Sequence, residues 1–319
     1  MQSTSLRRKL NSFHKLYNSS KGLTLAEIMI AIAISIIILA AVTSLYYTSD
    51  RVFKRTKSSA DVKEILKQGM AGLEWIFQRW GTATPCNDPT GNNQCSVIRD
   101  CRIAGSYNYP PPSSMCLTII NGNPCDEVIF YGSLYGNGFV DRVSGPTSVA
   151  LMSCRLSTET NQNCYHLKRG GQFIRDTQNN NVVLIFSISG LGSNNLECIN
   201  VNGSSNTSAS RVVTALNGNL RDANNNLTPF MNLEGGDLLL RVPHLIRLFC
   251  QFNPQDGNTL WLYMQATDMS EDCNANENPQ PIMPVNSFIA EQFGQGIRIT
   301  TQVRGPDNNF MTVQRYFGR

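Results

Sequence analysis

From Leu23 to Tyr47 the chain reads LTLAEIMIAIAISIIILAAVTSLYY, apolar on every side of a helix and interrupted by one carboxylate, Glu27. A run of that length suits a helix crossing a hydrocarbon core of ~30 Å. Beyond it the pattern changes without a break. Residues 48–80 hold no proline, and Val62, Leu66, Met70, Leu73, Phe77 and Trp80 recur at three- and four-residue steps along one helix face. Asp61, Lys63, Glu64, Lys67, Glu74 and Arg79 fall between them as the solvated side. The pattern therefore predicts one helix over 23–80, about 87 Å long at 1.5 Å per residue. Its first half, 23–47, is apolar all round; its second, 48–80, is amphipathic. Gly69 and Gly72 either weaken it by up to ~1 kcal/mol each or permit close packing. Gly81, with Pro85 shortly after, predicts the stop.

From Thr82 the period shortens and turn residues take over, which predicts a β-rich head over 82–319. Segment 82–125 is rich in Cys, Pro, Asn and Gly and reads as loops tied by disulfides. Strands are expected at Glu127–Leu134, Val149–Leu156, Cys164–Lys168 with Gln172–Arg175 across Gly170-Gly171, and Val182–Ser189. The Asn- and Ser-rich stretch Ser193–Asn232 reads as a long surface insertion with one strand at Arg211–Ala215. Leu245–Phe252 and Thr259–Gln265 flank Pro254-Gln255-Asp256-Gly257, a hairpin with Gly where a positive φ is needed. Gly296–Arg304 and Phe310–Tyr316 form a second pair around Gly305-Pro306-Asp307.

Charge and cysteine sharpen the topology. The net charge of +4 arises in the first 22 residues, where Arg7, Arg8, Lys9, Lys15 and Lys21 face no acid. Without those five, 22 basic residues stand against 23 acidic ones, which removes the support for a nucleic-acid-binding reading. The basic leader, with Asp50 first among the charges beyond the run, predicts the N-terminus inside and the bulk outside. Ten cysteines all follow the apolar run: Cys86, Cys95, Cys101, Cys116, Cys125, Cys154, Cys164, Cys198, Cys250 and Cys273. An even number on one side of a membrane span argues for disulfides in an oxidising compartment, with free buried thiols or metal binding as the competing readings. No CxxC occurs, and His14, His166 and His244 are scattered, so tetrahedral zinc spacing is absent. Enclosed turn residues suggest the short-range pairs Cys116–Cys125, Cys154–Cys164 and Cys250–Cys273.

Glu27 separates this segment from a plain anchor, because an ionised carboxylate in an apolar run costs on the order of 2.5–3.5 kcal/mol near a bilayer centre. The residues Lys21-Gly22-Leu23-Thr24-Leu25-Ala26-Glu27 resemble the processing signal of type IV prepilins: a basic leader, Gly before the cut, a hydrophobic residue after it, and Glu at the fifth mature position. Many such proteins have Phe where this one has Leu23. The resemblance implies that a membrane prepilin peptidase cuts between Gly22 and Leu23 and N-methylates Leu23. Glu27 would then face an N-terminal amine, its own or a neighbour's, in the assembled filament; such a pair recovers much of what each charge loses in low dielectric. The apolar face of Ile28–Val42 would supply packing. Val242–Met264, a V-x-x-L strand before an acidic-Gly turn, resembles the strand pair of PilW-type minor pilins and of J-type pseudopilins. Gly296–Arg304 resembles their later strand. The fold class implied is the α+β type IV pilin fold, a long helix packed on an antiparallel sheet head with disulfide-tied loops.

Enzyme chemistry has no foothold: no Gly-rich phosphate loop, HExxH or GxSxG appears, and His166 and His244 read as packed or surface histidines. No cofactor or metal is expected. Asp268, Glu271 and Asp272 lack EF-hand spacing and read as a solvated loop. Sequons at Asn202, Asn206 and Asn226 fall in the Asn- and Ser-rich stretch, where chance produces them. Tyr107 and Tyr109 offer a candidate adhesive surface. The expected role is that of a minor pilin, a priming or tip subunit of a type IV pilus, with prepilin peptidase, the major and other minor pilins and the inner-membrane assembly platform as partners. It would span the inner membrane once before entering an extracellular pilus or periplasmic pseudopilus. The alternatives are a J-type pseudopilin of a type II secretion system, a tip adhesin or DNA-uptake module, and an unprocessed single-pass anchored protein.

Overall fold

The computed structural model describes residues 24–87, 94–134, 137–143, 148–153, 164–175, 183, 186–189, 214–221, 234–255, 257–268, 278–305 and 310–318. The chain divides into two compact units, Met1–Ser59 and Ala60–Arg319. One helix, α1, runs from Leu25 to Phe77. It stops three residues before the expected Trp80 because its last turn tightens. Arg79 N–H bonds the Ile76 carbonyl at 3.0 Å and Trp80 N–H the Phe77 carbonyl at 3.1 Å, the i→i−3 pattern of a closing turn. Gly81 N–H then leaves the helix for the Tyr131 carbonyl at 2.8 Å.

The described strands are β1 (Arg102–Ile103), β2 (Ser106–Tyr107), β3 (Leu117–Ile120), β4 (Glu127–Gly132), β5 (Gly138–Val143), β6 (Ser148–Ser153), β7 (Cys164–Arg169), β8 (Gln172–Phe173) and β9 (Phe186–Ser189). There follow β10 (Thr214–Arg221), β11 (Leu238–Arg241), β12 (His244–Phe252), β13 (Leu260–Asp268), β14 (Gln280–Pro284), β15 (Ser287–Phe293), β16 (Gly296–Arg304) and β17 (Phe310–Gly318). All their pairings are antiparallel, so the fold is α+β with a long helix and antiparallel sheets. The β12–β13 hairpin and the β16–β17 pair form as expected; Phe252 faces Leu260, Gly257 takes a φ of 64°, and residues 306–309 of the second turn lie outside the described residues. The β7–β8 turn also forms across Gly170-Gly171, although its second strand is cut to two residues. Strands β3, β5, β11, β14 and β15 appear in addition to the expected ones.

A five-stranded sheet in the order β14-β13-β12-β4-β3 and a three-stranded sheet β15-β16-β17 hold the core. From the helix, Met70, Leu73, Ile76, Phe77 and Trp80 pack into one buried cluster with Phe130, Ile246, Leu248, Leu262, Phe288, Ile297 and Ile299. Phe77 stacks between Phe130, at 5.2 Å, and Phe317, at 4.6 Å. Gly69 is buried at this face: a Cβ there would lie 2.8 Å from Cβ and Cγ of Met283, so the helix meets β14 only because the side chain is missing. Asp126 joins the two sheets, its carboxylate accepting Gly122 N–H at 3.0 Å and Ala290 N–H at 2.8 Å.

The third sheet closes on itself. Its order is β11-β5-β6-β10-β9-β7-β8, and β11 also pairs with β7 from Leu238↔Lys168 to Arg241↔Tyr165, completing a ring of six strands. Closure leaves those six without a free edge. The ring occupies the region expected to hold scattered strands and an insertion; residues 193–213 and 222–232 of that insertion lie outside the described residues.

Among the described residues three disulfides form: Cys86–Cys95, Cys101–Cys116 and Cys125–Cys250. Two expected pairings are therefore corrected, since Cys116 joins Cys101 and not Cys125, and Cys250 joins Cys125 and not Cys273. The reason is sheet register. β12 runs antiparallel to β4 with Leu248 opposite Val128, so the residues continuing each strand, Cys250 and Cys125, arrive with Cα atoms 6.1 Å apart despite a sequence separation of 125. Cys154, Cys198 and Cys273 lie outside the described residues, and with them the Cys154–Cys164 pairing.

Candidate functional site

The candidate site begins at the first turn of α1. Thr24 precedes the helix and Glu27 sits three residues later. Thr24 N–H donates to Glu27 Oε2 at 2.9 Å, its hydroxyl donates to the same oxygen at 3.0 Å, and Glu27 N–H donates back to Thr24 Oγ1 at 3.3 Å. This reciprocal arrangement is a capping box, which satisfies backbone donors that a helix start otherwise leaves unpaired. Glu27 thus has a local role that the prepilin resemblance does not mention. The T-x-x-E spacing of Thr24 and Glu27 is the sequence signal for it. Lys21, Gly22 and Leu23 lie outside the described residues.

Beyond the cap, Glu27, Ile28, Ala31, Ile32, Ser35, Ile36 and Leu39 line a shallow groove of about 350 Å³ along one side of the helix. Two hydroxyls in this half turn inward on their own backbone: Ser35 donates to the Ala31 carbonyl and Thr43 to the Leu39 carbonyl, each at 2.7 Å. Such bonding lets hydroxyls enter an apolar medium with no donor exposed. The large side chains here stay uncovered, from Ile28 at 46% to Leu45 at 71% exposed. The helix is long and apolar enough to cross a membrane, by length and composition. An apolar surface of this extent marks an interaction site for lipid or for other apolar helices.

The head contains one contact that sequence reading missed. Tyr109 hydroxyl bonds His166 Nε2, the two rings lie nearly parallel with centroids 5.7 Å apart, and His166 is fully buried. The suggested adhesive role of Tyr107 and Tyr109 is thereby corrected. Both side chains are half-buried against the Cys101–Cys116 disulfide and Tyr131, so their apolar surface is already used in packing. No motif linked residues 57 apart, and only the tertiary fold brings them together.

Residues 17–43 match the family of the prokaryotic N-terminal methylation motif. The chain is also similar to an uncharacterized protein of Aquifex aeolicus (strain VF5), 23% identical over 282 residues that cover 87% of each chain. No solved structure matches it. The apolar helix and the motif together are consistent with a single-pass membrane-anchored protein. The methylation motif, the exposed apolar helix and the capped glutamate support a type IV pilin- or pseudopilin-type protein.

Proposed function

We propose that this chain is a minor pilin, PilW-like in its head, which enters a type IV pilus as a priming or tip subunit after its leader is cut between Gly22 and Leu23. The observation that carries the proposal is the start of α1, where an exposed apolar helix opens on Glu27. Cleavage would place a new ammonium on Leu23, one residue before Thr24, whose N–H already holds Glu27 Oε2. The carboxylate is therefore oriented toward the end at which the charge would appear, by the cap that also fixes its rotamer. In the filament the amine can be its own or a neighbour's, and either pairing exchanges a solvated carboxylate for an ion pair in low dielectric. The exposed stripe from Ile28 to Val42 supplies the helix-to-helix surface.

Prepilin peptidase, the major and other minor pilins and the inner-membrane assembly platform are the partners this reading requires. Its role is structural and not catalytic. A unit as large as Ala60–Arg319 on every helix would crowd a dense filament, which favours a rare subunit at an end. Intact-mass measurement and N-terminal sequencing of the protein from native membranes test the proposal. A chain beginning at N-methyl-Leu23, absent in Gly22→Val, is the expected result. A chain still beginning near Met1 would overturn it.

A further inference from the structure

Immediately past the apolar run, α1 changes chemistry twice within about three turns. Tyr46 and Tyr47 come first, each 69% exposed. Arg51, Lys54, Arg55 and Lys57 follow, all exposed, with Asp50 the one acid among them, bonded to Lys54 at 2.8 Å. Arg51, Lys54 and Arg55 are three and four residues apart and so share a helix face. At 1.5 Å per residue, Leu25–Tyr47 spans about 33 Å, Arg51 lies about 6 Å beyond Tyr47, and Lys57 about 15 Å beyond it. With the apolar run filling a hydrocarbon core of ~30 Å, the tyrosines fall at its rim and Arg51 in the headgroup layer, which is roughly 5–8 Å deep. The stems of Lys54 and Arg55 are long enough to reach back to it.

Four cations at this end of the span oppose the orientation that the leader's own cations set, because positive charge favours the inner side. A plain anchor gains nothing from them. Nor do they extend the buried stripe, since Val52 and Phe53, interleaved with them, are exposed as well. The position of aromatic rings at the rim, followed by guanidinium and ammonium groups one turn further out, matches phosphate in both depth and charge.

We propose that Tyr46, Tyr47, Arg51, Lys54 and Arg55 form a collar that docks anionic phospholipid headgroups of the outer leaflet and fixes the depth of the helix there. The collar rests on the reading of Leu25–Tyr47 as a membrane span, and on neither leader cleavage nor a place in a filament. Release from the membrane would then require another anionic surface or the loss of these contacts, which makes the collar a depth stop.

Full-length protein reconstituted in phosphatidylcholine vesicles, probed with spin-labelled phosphatidylglycerol and spin-labelled phosphatidylcholine, tests this. The expected result is a preference of about threefold or more for phosphatidylglycerol. It should fall toward unity in 0.5 M salt, as about 4 Å of screening length then remains. It should likewise be lost in R51Q/K54Q/R55Q, which keeps the leader's cations, and be retained in R51K/R55K. Equal association of the two lipids, or a preference unchanged in the triple Gln variant, would overturn the collar. Loss of filament incorporation by that variant with lipid preference intact would also overturn it, assigning the cations to an acidic protein surface. A protein that immobilises neither lipid would overturn the membrane span itself, a result distinct from the other failures.

Discussion

Leu39 and Leu73 belong to one helix, yet the first is 68% exposed and the second fully buried. The contrast holds along each half. Ile34, Ile37 and Val42 lie open, whereas Val62, Leu66, Met70 and Phe77 are covered by the sheets of the head unit. The distal half carries its apolar residues on one stripe and finds its partner within the same chain. The proximal half is apolar all round, which no single sheet face can satisfy, so its partners must come from outside. A helix can thus be complete as secondary structure and unfinished as a packed element.

The sharpest way to break this comparison is at Glu27. Glu27→Leu should reduce incorporation into filaments to background while the melting temperature of the head stays unchanged, read by immunoblot of sheared filaments beside calorimetry. Normal incorporation would remove the carboxylate from assembly and leave it the helix cap only. The next largest effect separates the halves directly. Leu73→Ala should cost about 2–5 kcal/mol of head stability in denaturant unfolding, because it opens a cavity in the buried cluster that the helix shares with the sheets. Ile34→Ala should leave that transition where it was and weaken membrane or filament retention instead. Gly69→Ala should cost about 1–3 kcal/mol through its clash with Met283. The same change made together with Met283→Ala should cost less than the two summed, a coupling measurable by a double-mutant cycle.

The smallest expected effect is electrostatic and confined to the head. The Arg102 guanidinium, bonded to Asp100 at 2.6 Å, holds that carboxyl at about 2 against burial, with the Thr118 hydroxyl assisting at 2.6 Å. Its contribution is therefore full above about pH 4, the unfolded value, and disappears as pH falls through about 2. Asp100 is 47% exposed and Arg102 39%, so solvent screens the pair and Asp100→Asn should cost less than about 1 kcal/mol at pH 7. The difference from the parent chain should vanish in melts near pH 2.

The helix was legible because its two periodicities are local. Val62, Leu66, Met70, Leu73, Phe77 and Trp80 were all placed on the buried face, and all six are buried. Hairpins whose turns carry Gly at a positive φ were legible for the same reason. What escaped was long-range. The pairing of β11 with β5 and β7 joins residues about a hundred or seventy positions apart, and no alternation within Leu238–Arg241 announces it. The disulfides failed in the same way: nearness along the chain suggested Cys116–Cys125, whereas strand register decided Cys125–Cys250. At the site itself, Glu27 was found through its cost in an apolar run, and Thr24 was missed because a hydroxyl there incurs none.

The Cys125–Cys250 bond also sets the route by which the head bears load. Tension applied between α1 and β17 would enter the chain before Cys125 and leave it after Cys250, and the bond joins those points directly. Every strand of the closed ring, from β5 to β11, lies between those points, in a side loop that carries no extension. The ring can therefore vary in sequence or hold a weakly stable fold without lowering the force the subunit sustains, because mechanical strength is assigned to the helix-packed sheets and one covalent bond.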